Sequence, residues 1–309
     1  MNFFDLHCDT IYECILKNKK LNKNNLHISL ERGRNFNRWV QCFAIWLNDK
    51  ESSFELENFV FKAIDFWSEQ VENNPDIIFC KEKSDLKSAF FKKKIGAILC
   101  VENLSCLEDD LLVLDKLYEK GVRLATLTWN GSNKVGAGAL TKSGGLTVFG
   151  KYVLIRMLEL GLIVDISHAS DHLFYDVFSR YSGSGKVMAS HSNSRKICNH
   201  PRNLTDEQFI TLKSREGVVG LTFCKDFLRK DKKAQIYDIL HHAEHFLELG
   251  GEEVISIGSD FDGADMPEGL VGIESIYDLY EVFLRYYQES LVEAIFFKNA
   301  YNFFYRNLK

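Results

Sequence analysis

The sequence lacks several features that would assign it to a specialised class of protein. Only three prolines occur in 309 residues, and no stretch rich in proline, glycine or serine divides the chain. No apolar run approaches the length of a membrane span, and the first strand-like run starts within a few residues of Met1, which leaves no room for a signal peptide. We therefore expect one domain over residues 1–309, in the cytoplasm and away from the membrane.

Cysteine spacing and net charge exclude two further classes. The eight cysteines form no C-x-x-C pair and several lie inside apolar runs, so we expect reduced, buried thiols. The net charge of −5 gives no reason to expect nucleic acid, and the basic run at 17–25 is short enough to be a solvated loop. With 46% hydrophobic and 26% charged residues, the composition is that of an ordinary globular protein.

Short apolar runs of strand type alternate with segments of helical period along the whole chain. The predicted strands are 3–7, 40–45, 95–101, 124–128, 162–166, 187–190, 218–223 and 254–258. Helical period is clearest at 55–72, 111–121 and 148–161. Two capping boxes and two terminal glycines predict helix boundaries: Thr205 with Gln208, Ser290 with Glu293, Gly121 and Gly161.

The order of these elements predicts the fold. Several strands are continuously apolar, which indicates burial on both faces and hence a parallel sheet. Eight strands, each followed by a helical segment, predict an α/β fold of the (β/α)8 (TIM) barrel type. A doubly wound open sheet is the main alternative, but the glycine-containing stretch 133–140 does not run from a strand end into a helix, as a dinucleotide-binding motif requires.

Side chains that can bind a metal follow the predicted strands. They are His7, Asp9, Glu102, His168, His191 and Asp260. His7 and Asp9 are two positions apart, so at a strand end they would project to the same side. The carboxyl ends of the strands of a parallel barrel meet at one face. Three imidazoles and three carboxylates without a thiolate suit two Zn²⁺-like ions, with one carboxylate bridging metals about 3.5–4 Å apart.

Each of these residues, taken alone, also has a structural explanation. A histidine at a strand end is more often part of the fold, and Asp before Gly, as in Asp262-Gly263, is common in turns. The hypothesis of a metal site therefore depends on the convergence of all six groups. His241 and His245 are one helical turn apart before the last strand, and we assign them to a solvated helix face. The remaining histidines have no partner pattern: His27, His172 and His200.

Six motifs, in this order and at these intervals, resemble the membrane (renal) dipeptidase family of zinc peptidases. They are "DLHCDT", "VEN", "DISHAS", "SHSNSR", "HPRNLTDEQ" and "IGSDFDG". The match runs from near residue 3 to about the C-terminus. The resemblance implies a barrel of the metal-dependent hydrolase type, which agrees with the strand count. It also implies a metallodipeptidase that hydrolyses the peptide bond of dipeptides with a hydroxide bridging two metals.

Carried over position by position, the resemblance implies two zinc ions per chain. His7, Asp9 and Glu102 would bind the first zinc. Glu102 would bridge to a second zinc, held by His168 and His191.

The resemblance also implies roles in catalysis and substrate binding. Asp260 would be the catalytic acid/base beside the first metal. Arg202 and Asn203 of "PRN" would bind the substrate, with Arg202 on the free carboxylate of the dipeptide. Where many family members have a histidine after "LT", this chain has Trp129, which can donate one hydrogen bond but cannot accept a proton. We expect Trp129 to contact the substrate or to be a packing residue.

Two other functions stay open at this point. Trp129 favours an amidohydrolase acting on another small carboxylate-bearing amide, such as an N-acyl amino acid or a lactam. An inactive metal- or ligand-binding homologue is the third hypothesis, against which the retention of all six groups argues. The preferred side chains of a dipeptide are not predicted, and a homodimer is left open.

Overall fold

A parallel sheet forms the centre of the computed structural model, which describes residues 1–231 and 233–309. In this range the strands are β1 (Asn2–Cys8), β2 (Arg38–Trp46), β3 (Ile77–Phe79), β4 (Ile95–Glu102), β5 (Val122–Thr126), β6 (Ile163–Asp165), β7 (Val187–Met188), β8 (Val219–Leu221) and β9 (Ile255–Ile257). Neighbours follow the order β7-β6-β5-β4-β2-β1-β9-β8, and every pairing is parallel. A parallel bridge from Ala189 to Val219 joins the two end strands. The predicted barrel is therefore confirmed.

β3 is an addition to the eight predicted strands. Ile77–Phe79 pairs with Ile95–Ala97 at the start of β4, while β5 pairs with the later residues Leu99–Glu102. β2 occupies the other edge of β4, so β3 and β5 share one edge at different heights. β3 thus extends the sheet at the amino end of the barrel, and the number of strands around the barrel stays at eight.

Helices connect the strands. Within the described residues they are α1 (Thr10–Leu16), α2 (Leu30–Gly33), α3 (Ser53–Glu72), α4 (Lys83–Lys92), α5 (Leu112–Glu119), α6 (Val148–Leu160), α7 (Asp171–Arg180), α8 (Asp206–Ser214), α9 (Lys225–Leu228), α10 (Ile236–Glu248), α11 (Ile276–Leu284), α12 (Glu289–Glu293) and α13 (Asn299–Asn307). Short 3₁₀ turns occur at Leu104–Leu107 and Ile273–Ser275, and a π-helical turn at Ala294–Lys298 joins α12 to α13.

Most predicted helix boundaries are confirmed. Thr205 caps α8 in a full capping box, and Gly161 ends α6 in the left-handed conformation, at φ +87°. Gly121 follows α5 at φ +103°. The capping box predicted at Ser290 is wrong. α12 begins one residue earlier, at Glu289, so Ser290 lies inside its first turn and cannot cap it.

Alternate residues of the strands pack on the two sides of the barrel wall. Phe43 of β2 contacts Trp67 of α3 on the outer side, with ring centroids 5.0 Å apart. The intervening residue Cys42 belongs to a second cluster, in which Phe4 of β1 stacks on Phe304 of α13 at 5.2 Å. Full burial of each such aromatic side chain contributes roughly 1.5–3 kcal/mol, so both clusters stabilise the wall that carries the strand ends.

Two glycines make room for a carbonyl where the barrel closes. A Cβ atom at Gly220 in β8 would lie 1.9 Å from the Ser190 carbonyl oxygen, and one at Gly258 would lie 1.8 Å from it. Both contacts are with backbone, which cannot rotate away as a flexible side chain can. The path of the chain through Ser190 and His191 therefore requires glycine at both positions.

We predict that Gly220→Ala lowers the free energy of unfolding by about 1–3 kcal/mol, because the added methyl group forces the backbone at Ser190 to shift. Urea denaturation measures the change. Gly96→Ala in β4 is the matched control, since its Cβ would meet only side-chain atoms, the nearest 3.2 Å away. Equal stability losses in the two variants would contradict the prediction.

Candidate metal centre

Six polar side chains meet at the carboxyl ends of the barrel strands. His7 and Glu102 lie in the last residues of β1 and β4, and the other four follow strand ends: Asp9, His168, His191 and Asp260. All six are buried, with exposed fractions of 8% or less. Their ligand atoms form three overlapping groups, each within 4.8 Å: His7–Asp9–Glu102, Glu102–His168–His191 and His7–His191–Asp260. The structure thus brings all six predicted residues together.

An irregularity in β1 directs His7 into this cluster. The register with β2 shifts between Asp5 and Cys8, where three steps along β1 match two along β2. Cys8 consequently packs in the same cluster as Phe3, whereas the regular alternation would have placed it with Phe4 and Leu6. Such a bulge turns a side chain to the other face of the strand. The shift places His7 Nε2 3.3 Å from Asp9 Oδ2.

The carboxylate of Glu102 lies between two sets of side chains. Its Oε2 atom is 3.6 Å from His7 Nε2, on the side of Asp9. Its Oε1 atom is 2.7 Å from His168 Nε2 and 3.6 Å from His191 Nε2. Two oxygens of one carboxylate thus face two different groups of ligand atoms, which is the arrangement of a bridging ligand.

The hydrogen bonds of His168 and His191 fix which nitrogen carries the proton. His168 Nδ1 donates to Asn130 Oδ1 at 2.9 Å. His191 Nδ1 donates to Ser190 Oγ at 2.7 Å, and that hydroxyl in turn donates to Asp165. Both Nε2 atoms are therefore lone-pair donors, and they lie only 2.9 Å apart. Two facing lone pairs repel each other unless a proton or a cation lies between them.

The backbone at these strand ends is held in an unfavourable conformation. His168, Asp260 and Asp262 have φ angles of +67°, +62° and +68°, in the left-handed region that residues other than glycine seldom occupy. Such strain costs of order 1–3 kcal/mol per residue and is concentrated at functional sites. Gly263, the glycine of "DFDG", is required for lack of space, because a Cβ atom there would lie 2.0 Å from Asp9 Oδ2.

Two buried carboxylates that sequence reasoning missed hold the strand ends in place. Asp165 accepts hydrogen bonds from the backbone N–H of Ser167 and Ser190 and from the hydroxyls of Thr126 and Ser190. On the other side of the barrel, Asp5 accepts hydrogen bonds from the N–H of His7, from the N–H and hydroxyl of Ser259, and from the side-chain amide of Gln41.

A repeated pattern in the sequence marks this support. Serine directly precedes three of the six groups, as Ser167-His168, Ser190-His191 and Ser259-Asp260. In each case the serine hydrogen-bonds to a buried aspartate that lies below the site. The repetition of Ser before a candidate ligand was the available signal for Asp5 and Asp165.

Burial disfavours the charged form of four of the central groups. Burial, with repulsion from Asp9, raises the pKa of the Glu102 carboxyl well above its usual range, and burial raises that of Asp260 to about 7. Burial lowers the pKa of the His168 and His191 imidazoles well below their usual range, which favours their neutral, ligand form.

This donor set fits metal cations. Asp9 Oδ1 is buried and has no hydrogen-bond partner among the described residues. Neutral imidazole nitrogens and carboxylate oxygens are the ligands of zinc and similar divalent ions, and cations between them would remove both the carboxylate repulsion and the conflict between the two Nε2 lone pairs.

A cavity of about 270 Å³ opens onto the centre. Asp9, Glu102, His168 and Asp260 lie at its base. Aromatic side chains form much of its wall: Tyr12, Trp46, Trp129 and Phe227. A volume of this size suits a small molecule.

The model of the family "Membrane dipeptidase (Peptidase family M19)" matches residues 1–306. The chain belongs to this family. An uncharacterized dipeptidase of Schizosaccharomyces pombe is 31% identical over 81% of this chain and 64% of its own length. Dipeptidase 3 of Rattus norvegicus is 28% identical over 86% of this chain and 56% of its own length. The chain therefore spans less than two thirds of either of these relatives.

Two solved structures share the fold. A metallopeptidase from Rhodobacter sphaeroides, solved with a phosphinate mimic of the dipeptide L-Ala-D-Ala, superposes with a TM-score of 0.91 over 100% of this chain and 99% of its own, at 21% identity. A second structure, the dipeptidase AC of family M19, has a TM-score of 0.92 at 22% identity, with 100% of this chain and 99% of its own covered. Within the described residues of this membrane dipeptidase family member, no helix combines the length and apolar composition of a membrane span.

The remaining predicted site residues of this family member lie at the cavity wall or behind it. Trp129 lines the cavity, packs edge-on against Trp46 at 5.0 Å, and lies 6.2 Å from the His168 ring. Arg202 is only 3% exposed. It donates to the His191 carbonyl at 3.3 Å and packs behind Phe227, while its Nε–H has no partner among the described residues.

Asn203 has a different environment from the predicted one. Its side-chain nitrogen donates to the carbonyls of Cys198 and Phe227, both at 2.8 Å, and its oxygen accepts from the N–H of Asn193. These bonds use both amide hydrogens and the oxygen to join three loop segments. The geometry therefore assigns Asn203 to holding the loop that carries Arg202, and it does not support a direct contact with substrate.

Three histidines outside the centre make structural contacts: His27, His242 and His245. His241 is exposed, as predicted, but His245 is not on a solvated face: its side chain is 12% exposed, and Nε2 lies 2.8 Å from Asp206. Between them, His242 is fully buried, accepts from the N–H of Ser194 and donates to the Leu228 carbonyl. His27 accepts from the N–H of Asp262 at 2.8 Å.

We predict that Ser190→Ala weakens metal binding by about 10-fold to 100-fold, because it removes the group that fixes the tautomer of His191. Competition with a chelating indicator at fixed pH measures the affinity. Ser192→Ala is the matched control: it lies on the other side of His191, and its buried hydroxyl has no partner among the described residues. An equal change in both variants would contradict the role of the Asp165–Ser190–His191 chain.

Proposed function

We propose that this chain is a two-zinc dipeptidase that hydrolyses the peptide bond of dipeptides. The observation that carries the proposal is the position of Glu102, whose two carboxylate oxygens face two different groups of ligand atoms. Membership of the dipeptidase family supports the reaction, and the absence of thiol groups from the donor set supports a metal of borderline hardness.

Each zinc ion would have its own set of protein ligands. His7 and Asp9 would hold the first, His168 and His191 the second, and Glu102 would bridge them. When bound, zinc supplies a water of lowered pKa and a Lewis acid for the carbonyl oxygen of the substrate. The two imidazoles of the second set donate hydrogen bonds to Asn130 Oδ1 and Ser190 Oγ, and these bonds keep them in the tautomer that binds a metal.

Asp260 is placed to move a proton during hydrolysis. Its carboxylate lies within one group with His7 and His191, and it lines the cavity. A carboxylate at this position can accept the proton of the attacking water at one oxygen and release it to the leaving amine. Asp5 and Ser259 fix the backbone from which Asp260 projects, so the group does not have to be oriented during the reaction.

Arg202 supports a substrate with a free carboxylate close to the peptide bond. Its guanidinium is buried near the centre, where Asp260 and Glu102 are the carboxylates that favour its charged form, and its Nε–H has no protein acceptor among the described residues. A guanidinium binds a carboxylate through two parallel hydrogen bonds. The cavity of about 270 Å³ above the metal ligands, whose wall includes the Phe227 ring that covers Arg202, suits a dipeptide better than a longer chain.

We predict that chelation abolishes dipeptide hydrolysis and that Zn²⁺ restores it, because no described side chain near Asp260 replaces a metal as Lewis acid. Elemental analysis of the restored enzyme should give about two metal ions per chain. One ion or none in fully active enzyme would rule out the bridged centre. A panel that also contains N-acyl amino acids and lactams tests the alternative amidohydrolase function.

We predict that Arg202→Ala raises KM for dipeptides by about 30-fold or more, with a smaller effect on kcat, since it removes binding that ground and transition states share. Dipeptide amides, which lack the carboxylate, should be poor substrates of the unmutated enzyme. Arg180→Ala, at an exposed arginine of α7, is the control. Equal cleavage of amides and free dipeptides by the unmutated enzyme would exclude the carboxylate clamp.

A further inference from the structure

A second cavity adjoins the first, on the side of β1 and β2. It has a volume of about 240 Å³ and shares two lining residues, Tyr12 and Trp46, with the cavity above the metal ligands. The rest of its lining combines apolar and acidic side chains with one amide: Leu16, Asn48, Glu51, Glu55, Leu56 and Phe59. The buried indole N–H of Trp46 has no acceptor among the described residues. The two cavities therefore share a wall, and one bound molecule can extend along it from the first cavity into the second.

The barrel order places this second cavity across from Arg202. Trp46 ends β2, and Arg202 follows β7. Going round the barrel from β2, the strands are β4, β5, β6 and then β7, so that β2 and β7 are four positions apart in a ring of eight. A dipeptide with its carboxylate at Arg202 would therefore direct its N-terminal residue towards Tyr12 and Trp46.

The second cavity is acidic. No lysine or arginine lines either cavity in the described part of the chain. The carboxylate of Glu55 accepts from the N–H and hydroxyl of Ser52 at the start of α3. For Glu51, by contrast, no basic side chain of the described residues lies within ion-pair distance. Glu51 is therefore the carboxylate of this cavity that is free to pair with a ligand.

We propose that this cavity binds the side chain of the N-terminal residue of the dipeptide and selects basic side chains. The inference rests on the proposed dipeptidase function. The methylene groups of a lysine would pack on Tyr12, Trp46 and Phe59, and its ammonium would pair with Glu51. An acidic side chain would meet Glu51 and Glu55 with like charge, so it is disfavoured.

Lysine and norleucine side chains test this selection, since they have the same four-carbon chain and differ by the ammonium group. For the zinc-loaded enzyme, kcat/KM for Lys-Ala should exceed that for Nle-Ala by about 2-fold to 5-fold, the range expected for one partly exposed ion pair. Glu-Ala should be the poorest of the three. In Glu51→Gln the Lys-Ala to Nle-Ala ratio should fall to about 1, and in Glu51→Lys it should fall below 1. Added salt should reduce the ratio only where Glu51 is present.

Two controls separate this selection from other effects. Glu69→Gln removes the same charge from an exposed position on α3, outside both cavities, and should keep the ratio. Ala-Lys and Ala-Nle place the same pair at the C-terminal position, where the ratio should be near 1 and independent of Glu51. Equal rates for Lys-Ala and Nle-Ala, or a ratio unchanged in Glu51→Gln, would overturn the side-chain site while leaving the dipeptidase function intact. If no dipeptide is hydrolysed, the proposed function fails and the selection with it.

Discussion

The concentration of buried carboxylates at one end of the barrel is the constraint on which the rest of the structure depends. Asp9, Glu102 and Asp260 are each at most 8% exposed. Among the described residues, the buried cations beside them are Arg202 and the protonated form of His7, whose pKa the Asp9 and Glu102 carboxylates raise well above its usual range against the effect of burial. Burying unpaired charge costs several kcal/mol per group in real proteins. The fold can hold this cluster only if protons or metal cations neutralise it, and the arrangement of lone pairs on Glu102, His168 and His191 favours cations.

Hydrogen bonds to buried aspartates hold these groups in place. Asp5 and Asp165 each accept four hydrogen bonds from neighbouring strand ends. Buried polar networks of this kind stabilise only when every member is satisfied. Here the bonds from the N–H groups of His7, Ser167, Ser190 and Ser259 fix the backbone at or next to a candidate ligand. The left-handed residues His168 and Asp260 can keep their strained conformation because the strands below them are fixed.

The sequence predicted the parts of the molecule that follow from local patterns. Continuous apolar runs predicted the eight strands, and the position of polar groups after those runs predicted where the six ligands meet. β3 was missed because three residues give too short a pattern, and its pairing depends on the free edge of β4. The hydrogen bonds of Asn203 and the burial of His245 were not predicted, because both depend on partners that are distant in sequence. The bulge that redirects His7 arises from the register with β2, which the sequence of β1 alone does not contain.

The centre and the wall of the cavity are under different constraints. Five of the six central groups have a ligand atom within 3.6 Å of a ligand atom of another member: His7, Asp9, Glu102, His168 and His191. A change in any of them therefore alters the electrostatic balance of the others. Three aromatic residues lie at or just after the ends of β1, β2 and β5: Tyr12, Trp46 and Trp129. Trp46 contacts each of the other two rings edge-on. Replacing one of these rings changes the shape of the cavity without adding or removing charge at the centre. A substitution in this wall, at Trp129 for example, can therefore change the shape of the cavity while the six candidate ligands stay as they are.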